Sequence, residues 1–234
     1  MFDALTPQDL AAAVATGAVL LGFIGYFFMS KNDQGEKENR PTNEVIKMRY
    51  LGFLWMGIFP FVLVFILTMS TAYTLSDFGL GFSFPKENWY WILGFAAVLI
   101  PMNYFNAKLE DNLKIYPQIR EKEWNGALQR KEYVTWFLYL VGYEWLFRGV
   151  FFFGCREVMG FWPAVAINVA VYSLVHIPKG LKETLASIPL GIVLCIIVEQ
   201  TQVFYAAAII HFTQAASSSF FSLRAHPDMK IIKE

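Results

Sequence analysis

The chain has 234 residues, of which 56% are hydrophobic, 18% aromatic and only 16% charged, a balance too apolar for a water-soluble domain of this length. Nineteen basic and nineteen acidic side chains leave no net charge, so nothing in the global balance points to a nucleic-acid partner or an acidic substrate. Cys155 and Cys195 lack CxxC spacing, which excludes a disulfide framework or a cysteine-built metal knot and leaves both as packing residues.

A helix needs about 20 apolar residues to cross a bilayer core, and runs of that order can be followed along the chain. The first is 10–29; Asp3 and Asp9 precede it where a signal peptide would carry basic residues, so it is expected to be retained. The second, 50–75, contains Pro60. The third, 89–105, opens on Trp89, Tyr90 and Trp91, aromatics suited to a membrane interface. The fourth, 133–153, holds Glu144 and Arg148, and the fifth is 158–176. The sixth, 184–198, is short, contains Pro189 and is approached through Pro178 and Gly180; it is expected to be tilted, re-entrant or broken. The seventh, 202–223, carries His211 and the small residues Ala206, Ala207, Ala208, Ala215, Ala216 and Ser217, which suit close helix packing.

Sixteen of the basic residues fall in the first, third and fifth connectors and the tail, among them Lys31, Lys37, Arg40, Lys47 and Arg49. The opposite side keeps only Lys86 and Arg156, while Arg148 lies within an apolar run. Short cytoplasmic loops carry the excess of lysine and arginine. The expected architecture is therefore all-α: one integral membrane domain over 1–234, a polytopic bundle of about seven transmembrane helices. Its N-terminus is placed outside and its C-terminus in the cytoplasm, with a bacterial inner membrane as the expected location and the lipid bilayer as a partner.

An ionisable side chain at the centre of a membrane helix costs roughly 2.5 to 3.5 kcal/mol on insertion scales, so such residues persist where they are paired or used. Glu144 falls near the midplane of its run, and Arg148, at i+4, shares its helix face and can pair with it. His176 ends the fifth run and His211 lies within the seventh; His226 sits in the polar tail. Either histidine alone reads as a packing or hydrogen-bonding residue. Together with Glu144 and Arg148 they read as a polar cluster between helices. Zinc is one use of His176, His211 and Glu144, although no HExxH spacing supports it. Ligation of a haem- or chlorophyll-like ring by His176 or His211 has no motif behind it, and no bound cofactor is expected.

Three strings occur in order: YEWLFRG at 143–149, YSLVHIP at 172–178 followed by Glu183, and HFTQA at 211–215. They resemble the EExxxR, FxxxH and HxxxN motifs of the CPBP family, which comprises CAAX prenyl proteases and bacteriocin-processing membrane proteases. The resemblance covers about 133–223. It implies a helical intramembrane endopeptidase acting on a membrane protein or peptide, with Glu144, Arg148, His176 and His211 at family positions. In the family the first glutamate and the FxxxH histidine activate water, the second glutamate pairs with the arginine, and the HxxxN pair supports the oxyanion. Here Tyr143 stands at the water-activating glutamate and Ala215 at the asparagine. A tyrosine with a pKa near 10 is a poor general base, and alanine donates nothing to an oxyanion. Gln214 points about 100° away from Ala215 on a helix and does not replace the asparagine. Two readings follow: an endopeptidase that uses Glu144 and His176 to activate water with His211 at the oxyanion, or a catalytically degenerate protease fold serving as a scaffold or subunit in a membrane complex.

Overall fold

The computed structural model describes residues 5–30 and 40–232, and these are almost wholly helical. Lys31, Lys37 and Asp3, used above for orientation and flank, lie outside the described residues, as does Lys233, one of the basic residues of the tail. Helix α1 (Pro7–Met29) begins with a reciprocal cap in which the Thr6 hydroxyl accepts the Asp9 N–H while the Asp9 carboxylate accepts the Thr6 N–H at 2.9 Å. A long rod follows: α2 (Thr42–Phe53), a π-helical segment (Leu54–Ile58) and α3 (Phe59–Ser70). Pro60 has no N–H and its ring crowds the preceding turn, and the widened π segment ahead of it absorbs the mismatch. The rod ends before position 75 because the Ser70 and Thr71 hydroxyls turn back onto the Leu67 carbonyl at 3.1 and 2.8 Å.

After α4 (Glu87–Asn106) and the short α5 (Glu110–Leu113) comes the central rod. It consists of α6 (Gly126–Glu144), a second π-helical segment (Trp145–Phe151) and α7 (Phe152–Met159). Residues 142–155 are all buried, so the rest of the protein is wrapped around this stretch. Helices α8 (Phe161–Leu174), α9 (Leu181–Thr201) and α10 (Tyr205–Ala225) complete the bundle. The sixth run is neither broken nor shortened: α9 is one 21-residue helix with Pro189 inside it, because residues 181–183 add a polar first turn ahead of the charge-free stretch. Pro7–Met29, Thr42–Ser70 and Leu181–Thr201 are long and apolar enough to cross a membrane.

Side-chain contacts fix the helix directions. Helix α1 runs antiparallel to the central rod, with Phe23 on Phe147 and Ala11 and Ala15 on Gly154. Helix α2 is parallel to α6, from Arg49 on Glu132 to Gly57 on Gly142, where a Cβ at Gly142 would lie 3.1 Å from the Gly57 nitrogen. Helix α8 is antiparallel to the rod, α9 to α8, and α10 to α6. Helices α4 and α10 are parallel, joined by Asn103, which donates to the Gln214 carbonyl at 2.9 Å and to the Ser217 hydroxyl at 2.7 Å.

Candidate active site

Glu144 is the last residue of α6, where the α-helix gives way to the π-helical turns that carry Arg148. Short π-helical insertions are rare and gather at functional positions, because they re-aim side chains that an α-helix would place elsewhere. Both residues are fully buried. Glu144 Oε1 lies 2.6 Å from Nδ1 of His211 on α10. Its other oxygen, Oε2, stands 3.4 Å from Arg148 Nε, close enough for charge pairing but not aligned for a hydrogen bond. With the carboxylate ionised, Nδ1–H donates to it, and Nε2 is the nitrogen left available for chemistry.

Arg148 reaches away from the rod to α8. Its Nη1 donates to Asn168 Oδ1, and the Asn168 amide donates to the Phe147 carbonyl at 2.7 Å. The guanidinium lies 4.4 Å from the centre of the Tyr172 ring, a cation–π contact. Gly191 lets α9 close over this region, since a Cβ there would sit 3.3 Å from the Tyr172 ring and 3.7 Å from Arg148 Nη2.

His176 follows the last residues of α8, just before a 3₁₀ turn containing Pro178, and is 7% exposed. Its Nδ1 lies 2.8 Å from the Tyr172 carbonyl, and its ring is 4.6 Å from the Tyr172 ring. The Tyr172 ring is in turn 6.4 Å from His211 and 5.9 Å from Tyr143. The fold therefore joins Glu144, Arg148 and His211 directly and brings His176 alongside through Tyr172. Tyr143 packs against His211 at 5.7 Å, ring to ring. The hydroxyls of Tyr143 and Tyr172, Glu144 Oε2, and Nε and Nη2 of Arg148 are all buried without a hydrogen-bond partner. Ala215 packs with Trp136 and Leu140, while Gln214 turns to Asn103 on α4. Glu183 lies in the first turn of α9 and hydrogen-bonds with Tyr116. Among the described residues no three His, Cys, Asp or Glu side chains converge as metal ligands.

Asn168 and the hydroxyl of Tyr172 were not singled out from sequence. The available signal was a lone carboxamide in an otherwise apolar run, one helical turn before Tyr172. A second buried cluster was also missed. Arg49 and Glu132, 3% and 1% exposed, meet at 2.6 Å, and Glu132 also accepts from Trp136 Nε1 at 3.0 Å and Ser219 at 2.6 Å. The guanidinium also donates to Thr135 and Gln118 at 3.1 and 3.2 Å. This cluster ties α2, α6 and α10 together, and each carboxylate oxygen of Glu132 has a partner. Only Arg49 Nε is left without a hydrogen-bond partner in this cluster, whose bonding is that of a structural clasp, whereas several groups around Glu144 lack one.

Residues 133–217 match the family described as Type II CAAX prenyl endopeptidase Rce1-like, a span that takes in all three motifs. Neither the curated proteins nor the solved structures give a match to the chain.

Proposed function

We propose that this chain, which matches the Rce1-like CAAX endopeptidase family over residues 133–217, is an intramembrane endopeptidase of CPBP type whose water-activating unit is the Glu144–His211 pair. The observation that carries the reading is the 2.6 Å contact between Glu144 Oε1 and His211 Nδ1, made at a fully buried carboxylate. A carboxylate on Nδ1 fixes the imidazole tautomer and stabilises the imidazolium that forms when Nε2 takes a proton. His211 is then the base that removes a proton from water, and the hydroxide adds to a peptide carbonyl. Cleavage of the C–N bond follows when the same Nε2 returns the proton to the departing amine. Arg148 supplies the counter-charge beside Glu144. The hydroxyls of Tyr143 and Tyr172, buried donors that lack partners, are the groups assigned to the developing oxyanion, with His176 beside the Tyr172 ring. This division of labour differs from that implied by the family motifs because Glu144 already has both oxygens facing partners. It needs neither a glutamate at 143 nor an asparagine at 215.

The substrate class is a membrane protein or peptide, and the setting a bacterial inner membrane with seven spans, N-terminus outside and C-terminus cytoplasmic. The alternating helix directions favour that topology. A second reading, a protease fold retained as a scaffold or accessory subunit, is favoured by one observation: Arg148 and the surrounding aromatic rings fill the space beside Glu144. The test is cleavage of a quenched membrane-peptide library by purified protein. Wild type is compared with His211→Ala, Glu144→Gln and His176→Ala, each with and without chelator. Cleavage by wild type that is lost in His211→Ala and unaffected by chelator supports the dyad. Chelator sensitivity would replace it with a metal-bound water. Absence of cleavage by folded wild type, with variants that fold and keep whatever partner co-purifies, favours the scaffold reading.

A further inference from the structure

We propose that the cleft between the C-terminal ends of α4 and α10 is a binding site for an acidic phospholipid. It lies on the outer face of the bundle and does not depend on the peptidase reading. Two grooves meet there. One, of about 230 Å³, is lined by Tyr104, Ala107, Lys108, Phe221, Arg224 and Ala225. The other, of about 300 Å³, runs on from the shared Phe221 along α10 past Ala216 to Phe212, bounded by Ile100 of α4 and Tyr133 of α6. The pair forms one slot with a cationic mouth and an apolar length, the shape of a headgroup followed by an acyl chain.

The charge at the mouth is uncompensated. Lys108 and Arg224 are exposed, and neither has a carboxylate partner among the described residues. The acids nearest Lys108 in sequence are already engaged, Glu110 with Lys114 at 3.1 Å and Asp111 with Lys182 at 3.1 Å, and Asp228, the acid nearest Arg224, forms no ion pair with it. Both cations lie against aromatic rings, Lys108 Nζ 5.0 Å from the Tyr104 ring centre and Arg224 Cζ 3.5 Å from that of Phe220. Their charged heads thus rest on aromatic faces near the helix ends, and Arg224 Nη1 also donates to the Phe220 carbonyl at 3.2 Å. Because α4 and α10 are parallel, both cations belong to the same face of the bundle, the one rich in basic residues. Basic pockets between helices at such a face take acidic headgroups, at about 1 kcal/mol of attraction per cation. A phosphate between Lys108 and Arg224 would have one acyl chain over Phe221, Ala216 and Phe212. Phosphatidylcholine could fill the same slot, but its choline would meet the two cations.

The experiment measures retention of phosphatidylglycerol against phosphatidylcholine on the purified full chain, by native mass spectrometry and by lipid-dependent thermal stability in nanodiscs. Wild type is compared with Lys108→Ala/Arg224→Ala and with Arg130→Ala/Lys131→Ala, which removes the same charge from exposed positions outside the slot. The expected result is a preference of wild type for phosphatidylglycerol that weakens by roughly thirtyfold in the first variant and persists in the second. Lys108→Arg/Arg224→Lys restores it, and Ala216→Trp, which blocks the apolar length, lowers retention with the charges intact. Equal loss in both alanine pairs, or no preference in wild type, would overturn the proposal by reducing it to general surface attraction.

Discussion

His211 and Glu144, 67 positions apart in sequence and on different helices, share a 2.6 Å contact through Nδ1 and Oε1, while Arg148 closes on the other carboxylate oxygen. Glu144 is thus the hinge of a three-residue chain, and its two neighbours depend on it unequally. Glu144→Gln leaves the Arg148 guanidinium buried without a counter-charge, whereas His211→Ala leaves the Glu144–Arg148 pair intact. Breaking one side of a buried ion pair costs about 3 to 5 kcal/mol. The expected outcome is a markedly lower unfolding temperature for Glu144→Gln than for His211→Ala. Peptide cleavage falls in both, by roughly a hundredfold to ten-thousandfold for loss of the base. Equal destabilisation would mean that His211 carries structural weight comparable to Arg148.

The Arg49–Glu132 clasp supports a purely structural prediction. Glu132→Ala strands a guanidinium that is 3% exposed and removes the acceptor used by Trp136 and Ser219. A loss of about 3 to 5 kcal/mol is expected, read as a lowered midpoint of thermal unfolding in detergent. The double variant Arg49→Met/Glu132→Leu recovers most of it, because two apolar side chains of similar size remove both charges together. A double variant no more stable than Glu132→Ala would mean that the hydrogen bonds to Gln118 and Thr135 matter more than the charge pair.

That clasp also shows what the sequence could carry. The apolar runs disclosed the long helices because a bilayer demands uninterrupted apolar length, and the i+4 spacing of Glu144 and Arg148 disclosed their pairing because helical geometry is local. Arg49 reads in sequence as one more cytoplasmic basic residue. Its partner is 83 positions away, and only the parallel alignment of α2 with α6 brings them together. A hint existed: Arg49 and Glu132 each immediately precede the apolar runs that begin at Tyr50 and Tyr133, which puts them at one depth at the starts of parallel helices. The π-helical turns at Trp145–Phe151 leave no mark in composition or periodicity. The continuity of α9 is obscured in sequence because its charge-free run is short, holds Pro189 and is approached through Pro178 and Gly180, although membrane helices tolerate such a proline when neighbours satisfy the freed backbone.

Tyr143 separates a structural from a chemical role. Its hydroxyl is buried without a hydrogen-bond partner, so Tyr143→Phe removes an unmet polar group and keeps the ring that packs on His211 and Phe147. Stability is expected to hold or to rise by up to about 1 kcal/mol, measured by thermal unfolding. Cleavage is expected to fall by roughly a hundredfold or more if the hydroxyl donates to the oxyanion. A variant with unchanged cleavage removes Tyr143 from the chemistry, and one that unfolds early shows that the hydroxyl holds a structural partner.

Close helix contact gives the last prediction. A Cβ placed on Gly154 would lie 2.5 Å from the Cβ of Ala15 and 3.0 Å from the Ala11 carbonyl oxygen, so α1 would have to move off the central rod. On Gly94 of α4 a Cβ would meet nothing within 4 Å. Both positions are helical, so the intrinsic preference for alanine over glycine, up to about 1 kcal/mol, acts equally in both. Gly154→Ala is expected to lose about 1 to 3 kcal/mol through overpacking, whereas Gly94→Ala is neutral or stabilising. The comparison is made by thermal unfolding of the two purified variants, with the distance from α1 to α7 followed by crosslinking of cysteines introduced at Ala12 and Val158. A Gly154→Ala protein as stable as Gly94→Ala, with undiminished crosslinking, would show that α1 is held elsewhere, through Phe23 on Phe147 and Gly25 against Trp55.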